Sequence, residues 1–384
     1  MKFIHTADWQ IGMTFHGIKE KSRILMENDR IEVIDRIAAV ANDPSRGIDF
    51  VLVCGDMFDS PRISEALIRK TLKGISKIKC DVYALAGNHE WNGTEYIFAS
   101  KFFKDNQPAN LIILEAGINP GPNGTEIVGA PLEGKTDEVD LIAVQLATLN
   151  KATGIRILAG HGNIDAVMAA SDRKDMIKVA PIEAAIAEGK VQYVAMGDRH
   201  STTNVGTTGA VWYSGAPEPT DYDENDQRNI LVVEIKEDKK PKVEKVEVGQ
   251  WEFIRFGTRS SQHQLRSAQD LIDLENKIEK VNRPAKTLVK IYLDSILDFD
   301  TDVRRGNLFS EWDDETLGGF AVSESSIGAG IESDPRAEKA PEGLNGYALS
   351  AYAELKELAM SDGQEAETAL EALKLLTRFV GGNS

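Results

Sequence analysis

Short apolar runs alternate with segments of helical period through the first half of the chain. Each run ends in polar residues, and the runs span residues 2–8, 50–56, 82–89, 155–161 and 191–200. Between the earlier runs, apolar residues recur with helical spacing over 23–41 and 63–78, which predicts helices. Short buried strands separated by helices are typical of α/β layers rather than of an all-α or all-β domain.

The pattern changes in the second half of the chain. Short alternating segments predict further strands over 210–214, 229–235 and 242–248. A strand, a helix and a strand then follow from Trp251, which predicts a small βαβ cap. The next stretch is rich in Gly, Ser, Asp and Glu and lacks periodicity, so we expect an acidic linker or poorly ordered loop before helical period returns. The predicted parts are a first domain over 1–250, the cap over 251–297, the linker over 298–345 and a helical segment over 346–384.

The composition is that of a globular protein with a full core. Of the 384 residues, 42% are hydrophobic and 7% aromatic. The two cysteines, Cys54 and Cys80, predict no disulfide framework and fit a reducing compartment. No apolar run approaches the length of a signal peptide core or of a membrane span, so we expect a cytoplasmic protein.

The net charge of −17 at first argues against a nucleic-acid partner. The charge is uneven, however, because 18 acidic and only 5 basic residues lie between Asp298 and Glu371. The remainder of the chain carries a small net charge, and a metal site can anchor a phosphodiester without a broad basic face. The net charge therefore neither supports nor excludes DNA as a binding partner.

Candidate metal ligands follow five of the apolar runs. They lie in Asp8-Trp9-Gln10, Gly55-Asp56-Met57-Phe58-Asp59, Gly87-Asn88-His89-Glu90, Gly160-His161 and Gly197-Asp198-Arg199-His200. In open α/β sheets, ligands bind at the carboxyl ends of strands, so these motifs can converge on one rim. Two divalent cations about 3.5–4 Å apart can clamp the attacking and leaving oxygens of a phosphoryl displacement. An oxygen-rich ligand set of this kind favours Mn²⁺ or Mg²⁺ over a structural zinc.

These motifs, in this order, resemble the calcineurin-like metallophosphoesterase superfamily. The opening segment from His5 to Gly12 and the later Tyr213-Ser214-Gly215-Ala216-Pro217-Glu218 resemble, more narrowly, the SbcD-type DNA repair exonucleases. The resemblance covers about residues 1–256. The whole motif set is specific, whereas any one motif alone is weak.

The resemblance implies a role for each matching residue. It implies one metal held by Asp8, Gln10, Asp56 and His200, and a second held by Asp56, Asn88, His161 and Asp198. His89 would act as the general acid or stabilise charge on the leaving oxygen. Asp59 would orient its neighbours, with a turn or helix-capping role as the alternative. Arg199 would contact a substrate phosphate or form a salt bridge.

Two positions depart from the family pattern. Gln10 stands where the family has a histidine, and Asp198 replaces the first histidine of the last motif. Both keep an oxygen donor, so we expect a harder, more anionic site that needs manganese. A neutral amide oxygen binds a cation more weakly than imidazole does, so affinity should be lowest at the Gln10 metal.

The implied fold is a four-layer α/β/β/α sandwich with the βαβ cap and the C-terminal helical segment. The resemblance implies a homodimeric, manganese-dependent 3′-to-5′ exonuclease and endonuclease of DNA repair or recombination, controlled by an SbcC-type ATPase. Two alternatives stay open. One is a phosphatase or cyclic-nucleotide phosphodiesterase with the same metal chemistry. The other is a scaffold subunit whose catalysis is weakened by Gln10 and Asp198.

Overall fold

The structure, a computed structural model, describes residues 1–92, 95–132, 134, 139–167, 176–236, 240–324, 330–331, 340, 346–361, 365–366, 368–370, 372–373 and 376. The chain divides into two units by its internal contacts, Met1–Glu252 and Phe253–Ser384. Each unit has its own hydrophobic core.

Eight strands of the first unit, β1, β2, β3, β9, β10, β12, β13 and β14 in the numbering below, fall on predicted segments, and the other strands of this unit lie outside those segments. In chain order the strands of this unit are β1 (Lys2–Thr6), β2 (Phe50–Cys54), β3 (Asp81–Leu85), β4 (Trp91–Asn92), β5 (Glu95–Tyr96), β6 (Leu111–Ile113), β7 (Gly117–Pro120), β8 (Glu126–Ala130), β9 (Arg156–His161), β10 (Tyr193–Gly197), β11 (Thr203–Val205), β12 (Val211–Tyr213), β13 (Asn229–Glu234) and β14 (Lys242–Glu247). The helices are α1 (Glu20–Asn42), α2 (Glu65–Ile75), α3 (Lys101–Asn106), α4 (Leu141–Thr148) and α5 (Val179–Ala187).

Most of these strands form two mixed sheets of six. The first sheet has the order β14-β13-β1-β2-β3-β6, and the second has the order β11-β12-β10-β9-β8-β7. The central strands β1, β2, β3 and β6 run parallel, as do β12, β10, β9 and β8. The carboxyl ends of each parallel set therefore meet at one edge of their sheet.

Side chains that point alternately to the two faces of each strand form three layers of hydrophobic core. Phe3 and Leu52 pack between the two sheets, together with Ile157 of the second sheet. Their chain neighbours Ile4 and Val51 face the other way, against helices α1 and α2. Helices α4 and α5 cover the outer face of the second sheet in the same manner. Each fully buried aliphatic side chain contributes roughly 1.5–3 kcal/mol. The predicted four-layer α/β/β/α sandwich is confirmed.

The second unit is centred on one long strand. Its elements are β15 (Glu252–Phe256), β16 (His263–Leu265), α6 (Ala268–Glu279), β17 (Thr287–Leu297), α7 (Phe299–Glu311), β18 (Gly319–Glu324), β19 (Gly330–Ile331) and α8 (Gly346–Ala359). Strand β17 pairs in parallel with β16, β18 and β19. Leu271, Leu274 and Ile278 of α6 lie in the core of this unit, on the face that the helical spacing predicts.

The expectation of an irregular linker from residue 298 is wrong for residues 298–324. Asp298 caps α7 by accepting a hydrogen bond from the Thr301 amide at 2.9 Å. Trp312 and Leu317, which follow α7, are buried in the core of the second unit. The apolar residues here are spread over a helix, a turn and a strand, so no single period reveals them. Most of residues 325–345 lie outside the described residues.

The C-terminal pattern agrees with the structure where the structure describes it. Helix α8 lies within the helical segment predicted over 346–384, whereas most of residues 361–384 lie outside the described residues. Among the described residues, no helix is both long and apolar enough to cross a bilayer.

Candidate metal centre

The loops that follow β1 and β2 run side by side and bring three predicted ligands together. The Asp8 amide donates to Gly55 O at 3.1 Å, and the Gln10 amide donates to Asp56 O at 3.0 Å. Asp8, Gln10 and Asp56 have φ angles of 53°, 49° and 51°, and Asp198 has 92°. Such conformations are strained for non-glycine residues and cluster at functional sites. The backbone is therefore bent at four of the seven predicted ligands.

Glycines allow the loops to approach the centre closely. A Cβ on Gly55 would overlap the imidazole of His161, and a Cβ on Gly87 would overlap the Asp56 carboxylate. Only glycine leaves this space free. At these two glycines, therefore, the backbone lies directly against the side chains of the centre.

His161 directs one ring nitrogen towards several side-chain oxygens. Its Nδ1 donates to the carbonyl oxygen of Cys54 at 2.9 Å, which leaves the lone pair on Nε2. Nε2 lies 3.0 Å from Asn88 Oδ1, 3.5 Å from Asp56 Oδ1 and 3.7 Å from Asp198 Oδ1. Lone pairs converge stably only around a cation, which is either a proton or a metal ion.

The pKa values of His161 and Asp8 also indicate that this centre requires positive charge. Burial disfavours a charged His161, yet the carboxylates of Asp56, Asp198 and Asp8 outweigh it and hold the pKa of His161 well above its ordinary value. Burial raises the pKa of Asp8 to about 6, against the opposing effect of His200 and His161. Buried carboxylates this close together are stable only when cations offset their charge.

The donor set fits a divalent metal. Ligand atoms of Asp8, Asp56 and His161 all lie within 4.8 Å of one another. Asp198 Oδ2 is buried without a hydrogen-bond partner among the described residues. Carboxylate, amide and imidazole donors around an unpaired oxygen are the environment that Mn²⁺ or Mg²⁺ accepts.

His200 is oriented by residues outside the predicted motifs. Its Nδ1 lies 2.5 Å from Thr220 Oγ1 and 3.2 Å from Glu224 Oε1, and the Thr220 hydroxyl donates to the same Glu224 oxygen. Burial opposes charge on this imidazole, but Glu224 and Asp8 raise the pKa of His200 to about 9. Because Nδ1 is committed to Thr220 and Glu224, Nε2 is the nitrogen that remains available to a metal.

Gln10 faces the centre with its nitrogen. Its Nε2 donates to Asp56 Oδ2 at 2.9 Å, and the side chain is buried. The sequence pattern predicts a ligand that binds through the amide oxygen. In this structure the amide instead stabilises the carboxylate expected to bridge the metals.

Residues 1–202, more than half of the chain, match the family described as calcineurin-like phosphoesterase. The chain belongs to this family. The resemblance expected from the five motifs is confirmed, and the family acts with divalent metals.

Three relatives of this phosphoesterase are nuclease or repair proteins by name. The chain is 24% identical over 257 residues to the SbcD subunit of nuclease SbcCD from Escherichia coli (strain K12), covering 58% of this chain and 62% of that protein. It is 32% identical over 94 residues to the protein of the same name in Bacillus subtilis (strain 168), covering 23% and 22%. It is 31% identical over 93 residues to DNA double-strand break repair protein Mre11 of Methanococcus maripaludis, covering 23% of each chain. The matches thus span less than two thirds of each relative.

The proposed general acid of the phosphoesterase, His89, is held at the edge of the centre. Its amide donates to Asp56 Oδ1 at 3.0 Å, and its Nδ1 donates to the carbonyl oxygen of Asp59 at 2.6 Å. Nε2 lies 3.8 Å from Asp56 Oδ2, and the side chain is 38% exposed. Asp59 thus contacts His89 through its backbone carbonyl oxygen, and its role in orienting its neighbours remains a prediction.

Arg199 lies in the same loop as two predicted ligands. Its Nε donates to Thr203 Oγ1 at 3.0 Å, and its Nη1 donates to the carbonyl oxygen of Val167 at 3.5 Å. These contacts hold the guanidinium beside the loop. Its role towards a substrate phosphate remains a prediction.

Glu90 is a positioning residue to which the sequence reasoning assigned no role. Its buried carboxylate accepts hydrogen bonds from the amides of Asp56 at 3.0 Å, Phe58 at 3.1 Å and Gly87 at 2.8 Å. Burial and the nearby Asp56 raise the pKa of Glu90 to about 7. One side chain therefore ties the loops after β2 and β3 together beneath the centre.

Proposed function

We propose that this phosphoesterase is a metal-dependent nuclease that hydrolyses phosphodiester bonds in DNA. The observation that carries the proposal is that ligand atoms of Asp8, Asp56 and His161 lie within 4.8 Å of one another, while the buried Asp198 Oδ2 has no hydrogen-bond partner in the described part of the chain. The names of three relatives favour DNA over a small ester as substrate.

Two sets of residues would each hold one divalent cation. Asp8, Gln10, Asp56 and His200 would hold one cation, and Asp56, Asn88, His161 and Asp198 would hold the other. When bound, two divalent cations supply Lewis-acid polarisation of the phosphodiester and activation of the attacking water. Glu90 and Glu224 would fix the ligand-bearing loops in place.

His89 would donate a proton to the leaving oxygen. Its Nδ1 is committed to the Asp59 carbonyl, so Nε2 is the nitrogen available to the substrate. Partial exposure of the ring lets Nε2 reach a phosphodiester at the rim. Loss of this proton donor should slow the reaction by roughly 10²–10⁴-fold.

The second unit is proposed to serve substrate and partner binding. Residues 251–297 would act as a cap that guides DNA, and residues 346–384 would bind an SbcC-type ATPase. Helix α8 supports the latter role, because Tyr347 is 89% exposed and Leu358 is 43% exposed. The two residues are about three helical turns apart and so share one face. A Tyr347→Glu, Leu358→Glu variant that still formed a complex with the ATPase would remove this assignment.

Manganese as the metal, 3′-to-5′ exonuclease and endonuclease action, and a homodimer complete the proposal. Manganese follows from the oxygen-rich donor set, in which Gln10 and Asp198 replace imidazoles. The direction of digestion and the dimer follow from the family resemblance.

The test is digestion of end-labelled single- and double-stranded DNA with manganese, alongside a chromogenic phosphodiester. We expect the full chain to digest DNA and the His89→Ala variant to lose digestion. Cleavage of the small ester without DNA would instead identify a small-substrate phosphodiesterase. If neither substrate is cut although metal is bound, the chain acts as a scaffold or needs its ATPase partner. Repeating the assay with an SbcC-type ATPase separates these two cases.

A further inference from the structure

The two side-chain amides of the centre face it in opposite ways. Asn88 presents its oxygen, which lies 3.0 Å from His161 Nε2. Gln10 presents its nitrogen, which donates to Asp56 Oδ2 at 2.9 Å. An amide oxygen can bind a cation, whereas an amide NH₂ group can only donate hydrogen bonds.

The other predicted ligands of the two positions also differ in how far their metal-binding atoms are already hydrogen-bonded. At the Asn88 position, His161 Nε2 is directed at the oxygen of the amide, Asn88 Oδ1, and Asp198 Oδ2 has no hydrogen-bond partner among the described residues. At the Gln10 position, both oxygens of Asp8 accept the Asp198 amide, at 3.0 and 3.2 Å. The Asp56 oxygen that faces Gln10 is likewise already hydrogen-bonded.

A cation entering the Gln10 position must therefore displace existing hydrogen bonds. The Gln10 amide has to turn by half a rotation to offer its oxygen, and its bond to the Asp56 carboxylate is lost. The turn takes place inside packed protein, since Gln10 is only 3% exposed. At the Asn88 position the amide already presents its oxygen, so a cation replaces the hydrogen bond between His161 Nε2 and Asn88 Oδ1 without any side-chain amide having to turn.

We propose that the two metal positions fill in sequence. The position formed by Asn88, His161 and Asp198 binds the first divalent cation, and the position at Gln10 fills only at higher metal concentration. The inference rests on the proposed metal ligands and deepens that assignment, because it makes the second metal the one that limits activity. Loss of a charged hydrogen bond and a weak neutral ligand together correspond to roughly a tenfold or larger difference in Kd.

The test is a manganese titration of the 384-residue chain, monitored by isothermal calorimetry and by electron paramagnetic resonance. The wild type should bind one equivalent tightly and show an isolated manganese signal. An exchange-coupled pair should appear only with excess metal. In the Gln10→His variant, an imidazole replaces the amide, and the coupled pair should form at roughly tenfold lower manganese.

Two further variants control the test. Gln264→His places a histidine on an exposed strand of the second unit and should leave both binding steps unchanged. Asp198→Asn should weaken the first step more than the second. Circular dichroism checks that each variant is folded.

The outcomes separate this inference from the proposed function. Two equal sites in the wild type, or an unchanged second step in Gln10→His, would overturn sequential filling and leave the nuclease proposal intact. If no manganese binds at all, both the metal centre and sequential filling are overturned.

Discussion

Glu224 is predicted to tune metal affinity without touching the metal. The perturbation is Glu224→Gln, which keeps the shape of the side chain and removes its charge. Glu224 Oε1 lies 3.2 Å from His200 Nδ1 and also accepts the hydroxyl of Thr220, which contacts the same nitrogen at 2.5 Å. The carboxylate therefore polarises the imidazole both directly and through Thr220.

The magnitude follows from the two contacts. Partners that orient a metal-binding histidine typically contribute about 10–100-fold to affinity. Thr220 remains beside His200 in the Gln variant, so we expect about a tenfold rise in Kd for manganese, or about 1.4 kcal/mol. Glu224→Ala also removes the acceptor of the Thr220 and Asp221 amides, so its rise in Kd should approach the roughly 100-fold end of this range.

Calorimetric titration well below the unfolding temperature measures the effect. The matched control is Glu183→Gln, because Glu183 accepts the amide and hydroxyl of Thr207 on an exposed loop and resembles Glu224 in its contacts. The control should leave the manganese Kd unchanged. The reasoning is refuted if Glu224→Gln lowers stability but leaves the Kd within about twofold of the wild type.

Three further predictions concern stability and packing. Burial lowers the pKa of His5 to about 3, so its stabilising contribution is present above pH 6.5 and is lost as pH falls towards 3. When the free energy of urea unfolding is measured between pH 7.5 and 5, His5→Gln should reduce its pH dependence below pH 6.5 by about 1.4 kcal/mol per pH unit. An unchanged slope would contradict this. Gly87→Ala should weaken manganese binding at least about tenfold, because its Cβ overlaps Asp56, whereas Gly306→Ala, where a Cβ meets nothing, should not; equal Kd values would count against the close approach. Trp312→Ala should lower the free energy of unfolding of the second unit by about 3–5 kcal/mol, and a loss below about 1 kcal/mol would show that this residue is not core.

The sequence predicts the parts of the fold that a single local period encodes. Strand β2 is a continuous apolar run, and β1 and β9 carry consecutive apolar residues at their centres, because parallel strands buried on both faces carry no polar alternation. Their carboxyl ends can be recognised because the polar residues follow immediately. The five motifs therefore place Asp8, Asp56 and His161 together from the sequence alone.

Other features depend on contacts between distant segments. His200 and Glu224 are 24 positions apart, with strands β11 and β12 between them, and no spacing rule predicts their contact. Asp59 contributes its carbonyl oxygen, an atom that every residue type carries, so its side chain gives no signal for this role. Helix α7 and strand β18 are not predicted from the sequence. The segment between them is fixed by Trp312 and Leu317, which share a core with residues of β17, and this packing joins parts of the chain that no local pattern connects.

The most direct test of the central claim is the rate of manganese-dependent cleavage of end-labelled DNA by the wild type and by Asp56→Asn. Asp140→Asn, which alters a helix cap on α4, is the control for a lost carboxylate. If this centre hydrolyses DNA, the wild type and the control should cleave at similar rates, while Asp56→Asn should lose both cleavage and tight manganese binding. DNA cleavage by Asp56→Asn at the wild-type rate would contradict the account.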